Sequence, residues 1–144
     1  MEIKQTVGKH GQVFNDAIAI RMAVFVKEQQ VPEELEKDDG DAIATHYVGY
    51  VGGLPVVTLR IIKEGVQVHV QRVATIKNSR HHGYAAELLN DVLHQISADG
   101  EAELVYLGAQ LTAIGFYETL GFETVGPIFL DAGIQHKRME LRLK

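Results

Sequence analysis

The chain has 144 residues, 46% of them hydrophobic and 23% charged, with a formal net charge of −5. That length suits one domain spanning residues 1–144 with a core of its own, and the composition is that of a globular protein. The acidic balance argues against nucleic-acid binding, which leans on a basic surface. The lack of cysteine excludes disulfides and cysteine–zinc sites and fits a reducing cytoplasm. No apolar run approaches the roughly 18 residues needed to span a bilayer, and Met1–Gln5 lacks the basic-then-apolar pattern of a signal peptide.

Met1 to Val7 reads as a first strand. Val13, Ala17, Ile20 and Val24 recur at helical spacing, which predicts an amphipathic helix from residue 11 to about 28, ended by Val31-Pro32. Glu33 to Asp41 holds six carboxylates, one lysine and one glycine and reads as a loop. It has two readings: an attractor for a cationic acceptor, or, preferred, a solvated surface loop. Thr45–Val51, Pro55–Lys63 and Val66–Ile76 are β-rich runs parted by Gly52-Gly53 and Glu64-Gly65, an antiparallel meander. Residues 83 to 98 carry helical periodicity and stop near Gly100. A strand follows at Leu104–Gly108, then a helix at Leu111–Leu120 ended by Gly121. Phe122–Val125 and Gln135–Leu143 close the chain as strands, with Pro127 and Gly133 between them. The order β-α-β-β-β-α-β-α-β-β predicts a mixed α+β, three-layer fold: a mostly antiparallel twisted sheet with one central parallel crossover. Such a sheet leaves edge strands, which a homodimer would cover.

The junction of the third run with the next helix is rich in chemistry. Val70-Gln71-Arg72-Val73-Ala74 leads into Arg80-His81-His82-Gly83-Tyr84-Ala85, where the helix begins. A helix N-terminus presents unpaired N–H groups and partial positive charge, Gly83 and Ala85 leave the backbone accessible, and Arg80 adds a cation. This is neither a Walker loop nor the three-glycine dinucleotide fingerprint.

In this order and spacing the chain resembles the GCN5-related N-acetyltransferase (GNAT) family, over nearly its whole length. Arg80-x-x-Gly83-x-Ala85 matches the family's Arg/Gln-x-x-Gly-x-Gly/Ala loop. Arg72-Val73-Ala74 looks like the strand before that loop, and Phe116-Tyr117-Glu118-Thr119-Leu120-Gly121-Phe122 like the second signature. Arg21 to Asp41, with Val-Phe-Val-x-Glu-Gln-x-Val-Pro, resembles a small bacterial single-domain branch. The resemblance implies acetyl-CoA as co-substrate, its pyrophosphate on the loop and its pantetheine along the strand. The implied contacts are Arg72, Val73, Ala74, Thr75, Arg80, His81, His82, Gly83, Tyr84, Ala85, Gln110, Ala113 and Phe116. Two positions depart from the family pattern: His81 stands where many members carry glycine, and Gln110 where asparagine is frequent.

The same resemblance implies direct attack of a primary amine, on a small molecule or a peptide, upon the thioester. Such a reaction needs a base, an oxyanion donor and an acid. The implied oxyanion donor is the backbone N–H around Val73, freed by a bulge, and the implied acid is Tyr117. The base stays open among His69, Glu28, His136 and a water chain; His46 and Gln71 also reach the cleft if strand phases hold. Strand alternation puts His69, Gln71 and Val73 on one face. No metal is expected, since Asp38-Asp39-Gly40-Asp41 lacks calcium-loop spacing and adjacent His81 and His82 diverge. A rival from another class is a catalytically silent acyl-CoA-binding or partner-binding module on the same fold. A nucleotide-binding protein is a third.

Overall fold

The computed structural model describes residues 1–143. Seven strands form one sheet in the order β1-β2-β3-β4-β5-β7-β6. They are β1 (Glu2–Val7), β2 (Thr45–Val51), β3 (Leu54–Glu64), β4 (Gln67–Thr75), β5 (Leu104–Gln110), β6 (Glu123–Asp131) and β7 (Ile134–Arg142). Only β4 and β5 run parallel. The helices are α1 (Gln12–Arg21), α2 (Glu33–Glu36), α3 (Tyr84–Asp99) and α4 (Ile114–Thr119). No helix among the described residues is long and apolar enough to cross a membrane.

Two apolar layers flank the sheet. Leu88, Leu89, Val92 and Ile96 of α3, a helical stripe, bury against Val57, Leu59, Val68, Val70, Val105 and Leu107. On the other face α1 places Ala17 and Ile20, with Val24 beyond it, against Val48, Tyr50 and Ala74. The α3 crossover between β4 and β5 is the connection that parallel strands require.

Three predicted elements change shape. The helix expected over 11–28 is α-helical only to Arg21; Met22–Glu28 winds as a π-helix. Gln29 N–H there reaches back to Val24 carbonyl at 3.1 Å. Periodicity marks the apolar face but cannot report a wider winding, which often accompanies functional sites. The strand expected at 122–125 runs on to Asp131, and Pro127 lies inside it. An edge strand tolerates proline, and the register breaks between Val125 and Phe129, where proline's missing N–H costs nothing.

The acidic segment is the third: Glu33, Glu34 and Asp39 are exposed, as the surface-loop reading expects, but the segment is not a plain solvated loop. It holds α2 and a 3₁₀ turn, and Glu36 and Asp41 are buried. Arg21 Nε donates to Glu36 at 2.6 Å and its Nη1 to Asp41 at 2.7 Å. Arg60 Nη1 bridges Asp38 at 2.8 Å and Asp41 at 2.7 Å. Arg21 and Arg60 are each 1% exposed, so this is an internal network, one that gives charges taken from water both partners and hydrogen bonds.

Candidate active site

Sheet pairing sets up the site. The β4–β5 ladder holds only Gln67–Leu104, Val68–Val105 and His69–Tyr106; beyond it no partners are registered between them. Both strands continue, β4 to Thr75 and β5 to Gln110, so a gap opens between them. A cleft of about 1020 Å³ occupies it, lined from both faces of the sheet.

A bulge shapes one wall. Arg60 pairs with Gln71 and Thr58 with Ala74, so Arg72 and Val73 together oppose Leu59 and stand outside the ladder. Arg72 takes a positive φ of 57°, an unfavourable conformation for a long side chain. Its side chain is held from the acidic segment: Nη2 donates to Asp38 at 3.1 Å, and Nε lies 3.1 Å from Glu36 Oε2. That Nε contact is ionic, because the N–H is not aimed at the carboxylate and Nε has no hydrogen bond. The bulge also overturns an expected alignment. Val73 turns to the α3 side with Val70 and Val68, so it does not share a face with Gln71, which pairs with Arg60 on the opposite side.

The basic loop closes one end of the cleft. His81 and Gly83 both have positive φ, 68° and 78°. The histidine therefore sits in a left-handed conformation that glycine adopts freely, which gives the departure at this position a physical meaning. Arg80, His81, Gly83, Tyr84 and Ala85 line the cleft. His82 does not; its ring stacks on Tyr84 at 5.4 Å and its Nδ1 contacts Ser79 carbonyl. Arg80 is engaged in full: Nε donates to Thr75 carbonyl at 2.9 Å, and the two Nη atoms grip Glu28 at 2.6 and 2.7 Å.

The other expected residues separate clearly. Arg72, Val73, Ala74, Thr75, Gln110, Ala113, Phe116, Tyr117, His69 and His136 line the cleft, whereas Glu28 and His46 do not. His46 is 1% exposed, edge-on to Phe14 and bonded to Asp41 carbonyl at 3.0 Å. It belongs to the core beneath the acidic segment. The Arg80 hydrogen bonds hold the Glu28 carboxyl below the usual carboxylate range, so it is a poor proton acceptor near neutrality.

The two cleft histidines differ in which nitrogen is free. Gln71 accepts from Arg60 through Oε1 at 2.9 Å, which turns its Nε2 toward His69 Nδ1 at 3.2 Å. His69 Nδ1 therefore accepts, and its proton sits on Nε2. Burial lowers the pKa of this ring, which stacks on Tyr106 at 4.2 Å. His136 Nδ1 donates to Ile134 carbonyl at 2.7 Å, leaving Nε2 with an open lone pair beside Phe129. Tyr117, from α4, is 7% exposed; burial raises its pKa, and no hydrogen bond holds its hydroxyl among the described residues.

Sequence reasoning missed Tyr106, Arg138, Phe129 and Gln29. Arg138 lies 3.9 Å over the Tyr106 ring, and Tyr106 donates to Glu64 at 2.5 Å. Tyr106 and Arg138 lie diagonally on neighbouring strands, Tyr106 paired with Glu140 and Arg138 with Gly108, with no local motif, so only the β5–β7 register brings them together. No group of three His, Asp or Glu side chains among the described residues is placed to hold a metal.

A family profile, the Acetyltransferase (GNAT) domain, matches residues 7–143. The uncharacterized N-acetyltransferase YjcF of Bacillus subtilis is 34% identical over 138 residues, 95% of this chain and 98% of that one. The crystal structure of Escherichia coli ElaA superposes with a TM-score of 0.85 at 26% identity, covering 97% of this chain and 99% of that one. An aminoglycoside 6′-N-acetyltransferase complexed with coenzyme A shares the fold, with a TM-score of 0.71 at 14% identity over 100% of this chain and 98% of that one. The profile match, running from β1 to the end of β7, shows that the chain belongs to the GNAT acetyltransferase family.

Proposed function

We propose that this protein transfers an acetyl group from acetyl-CoA to a primary amine by direct attack. The observation that carries the reading is the gap between β4 and β5, bounded by an off-ladder bulge at Arg72-Val73 and by a helix N-terminus at Gly83. A pantetheine arm fits a gap lined by unpaired strand edges, and a pyrophosphate fits the first amides of α3, where the dipole favours an anion. The coenzyme A complex of the aminoglycoside acetyltransferase supports acyl-CoA as the ligand of this fold.

The residues then take roles by geometry. The Val73 N–H donates to the oxyanion as the amine nitrogen bonds to the thioester carbon. His136 Nε2, its other nitrogen fixed by Ile134, accepts the proton that the amine loses. As the carbon–sulfur bond breaks, Tyr117 donates its hydroxyl proton to the leaving thiolate and recovers one from solvent. Burial keeps that hydroxyl protonated across the working pH range. The amine acceptor approaches from the side lined by Tyr106, Phe129 and Arg138.

The test is thiol release from acetyl-CoA with a panel of primary amines. With no cysteine in the chain, every thiol detected is released coenzyme. Amine-dependent release supports the reading. CoA binding in calorimetry without release across the panel points instead to a silent acyl-CoA-binding module.

A further inference from the structure

Glu28 and Gln29 end the π-helical segment, and each bonds a cleft residue, one in the loop after β4 and one on β5. Glu28 takes both Nη atoms of Arg80, which follows β4, at 2.6 and 2.7 Å. Gln29 Oε1 accepts from Nε2 of Gln110, the last residue of β5, at 2.9 Å. β4 and β5 are the two strands that part to form the cleft. Residues 28–29 are thus tied to both arms of the gap. Their turn is held by Gln30 at φ 60° and by Val31 N–H bonding Phe25 carbonyl at 2.8 Å.

Carboxylate and phosphate offer a guanidinium the same paired oxygen acceptors. The seat that Glu28 takes on Arg80 is one a phosphate would take. The seat that Gln29 takes on Gln110 is one an amide oxygen of an extended ligand would take. One isolated ion pair of this exposure would be an ordinary surface contact. Two contacts from adjacent residues, aimed at both walls of one cleft, form a strap.

We infer that Glu28 and Gln29 hold the donor-binding groups of Arg80 and Gln110 in the free protein, and that acyl-CoA displaces them. This rests on the acyl-CoA reading of the cleft. It makes Glu28 a determinant of donor affinity: the coenzyme's phosphates must outcompete a carboxylate already in place.

Calorimetry with CoA on wild type, Glu28→Gln and Gln29→Ala tests this without an acceptor. Removing the competing charge should tighten CoA binding by about three- to tenfold, the scale of one charge-assisted pair. The same Glu28→Gln change in an Arg80→Met background should leave affinity unmoved. In wild type, hydrogen exchange at residues 25–31 should speed up on CoA addition. Wild type that binds CoA, with Glu28→Gln equal or weaker, overturns the strap alone, as does slower exchange at 25–31 in the complex. Absence of CoA binding by wild type and variant alike overturns the acyl-CoA reading, and the strap with it.

Discussion

Tyr117 has its ring buried while its hydroxyl, with no hydrogen bond among the described residues, is not sealed from the cleft that the residue lines. Tyr117→Phe should cut kcat by about tenfold or more while leaving CoA affinity by calorimetry unchanged, since removing an acid touches the transition state more than binding. The base assignment is tested by substitution. His136→Gln should lower kcat/KM by roughly a hundredfold or more. His69→Gln should cost far less, because His69 Nδ1 is already bonded to Gln71. A larger loss at His69→Gln than at His136→Gln would reverse the two roles. Tyr117 was legible because it sits inside a contiguous signature with Gly121-Phe122. The contrast between His69 and His136 was not, because it depends on a hydrogen bond from Arg60 through Gln71, set across two strands.

At the scale of elements, the acidic segment is best understood as a buttress for the bulge. Arg72 would not hold a positive φ unaided; Glu36 and Asp38 fix its side chain from outside the sheet. Asp41→Ala leaves Arg21 and Arg60 buried and under-compensated, and should cost about 3–5 kcal/mol, read as a lowered denaturant midpoint. The network also predicts acid sensitivity. Arg60's hydrogen bond outweighs burial and holds Asp38 below its ordinary value. Burial pushes Asp41 up, but Arg21 and Arg60 together hold it below as well. Depressed carboxylates stabilise the fold above their unfolded pKa of about 3.9 and lose that contribution as pH falls through the folded values. Glu36 runs the other way: burial raises it against the pull of Arg72 and Arg21, so its protonation at mildly acid pH favours the fold. Stability should therefore fall steeply only below about pH 4, and Asp38→Asn should flatten that fall in pH-dependent chemical denaturation. None of this could be read from the segment itself. Composition counts its charges, but Arg21, Arg60 and Arg72 come from three separate elements.

For the whole molecule, element order, the β2–β4 meander, the α3 crossover and the α3 core stripe all followed from local patterns, which is why the family resemblance could be seen so early. The misses in element shape share one cause. A π-turn and a proline-bearing edge strand each break a regular period, and so does the bulge, which the family resemblance implied but whose shift of side-chain phase strict alternation leaves out. Val73 shows the consequence most clearly, for one extra residue moved it to the other side of the sheet. Gly83 is where local reading and whole-molecule geometry agree: the loop ends in a left-handed residue with open space beside its α-carbon. Gly83→Val should weaken CoA binding by about tenfold or more in calorimetry, because a branched side chain strains that conformation and fills the approach to the α3 amides. Thermal unfolding of the unliganded variant would report the strain separately.

The brevity of the β4–β5 contact also bears on rigidity. Seven strands act as two rafts, β1–β4 and β5–β7, stitched by a seam of three residue pairs and bridged by α3. So short a seam leaves a wedge of space beyond it, which the contacts of Glu28 with Arg80 and of Gln29 with Gln110 tie from outside the sheet. Any molecule lodged in it becomes a spacer, resisting closure as much as parting.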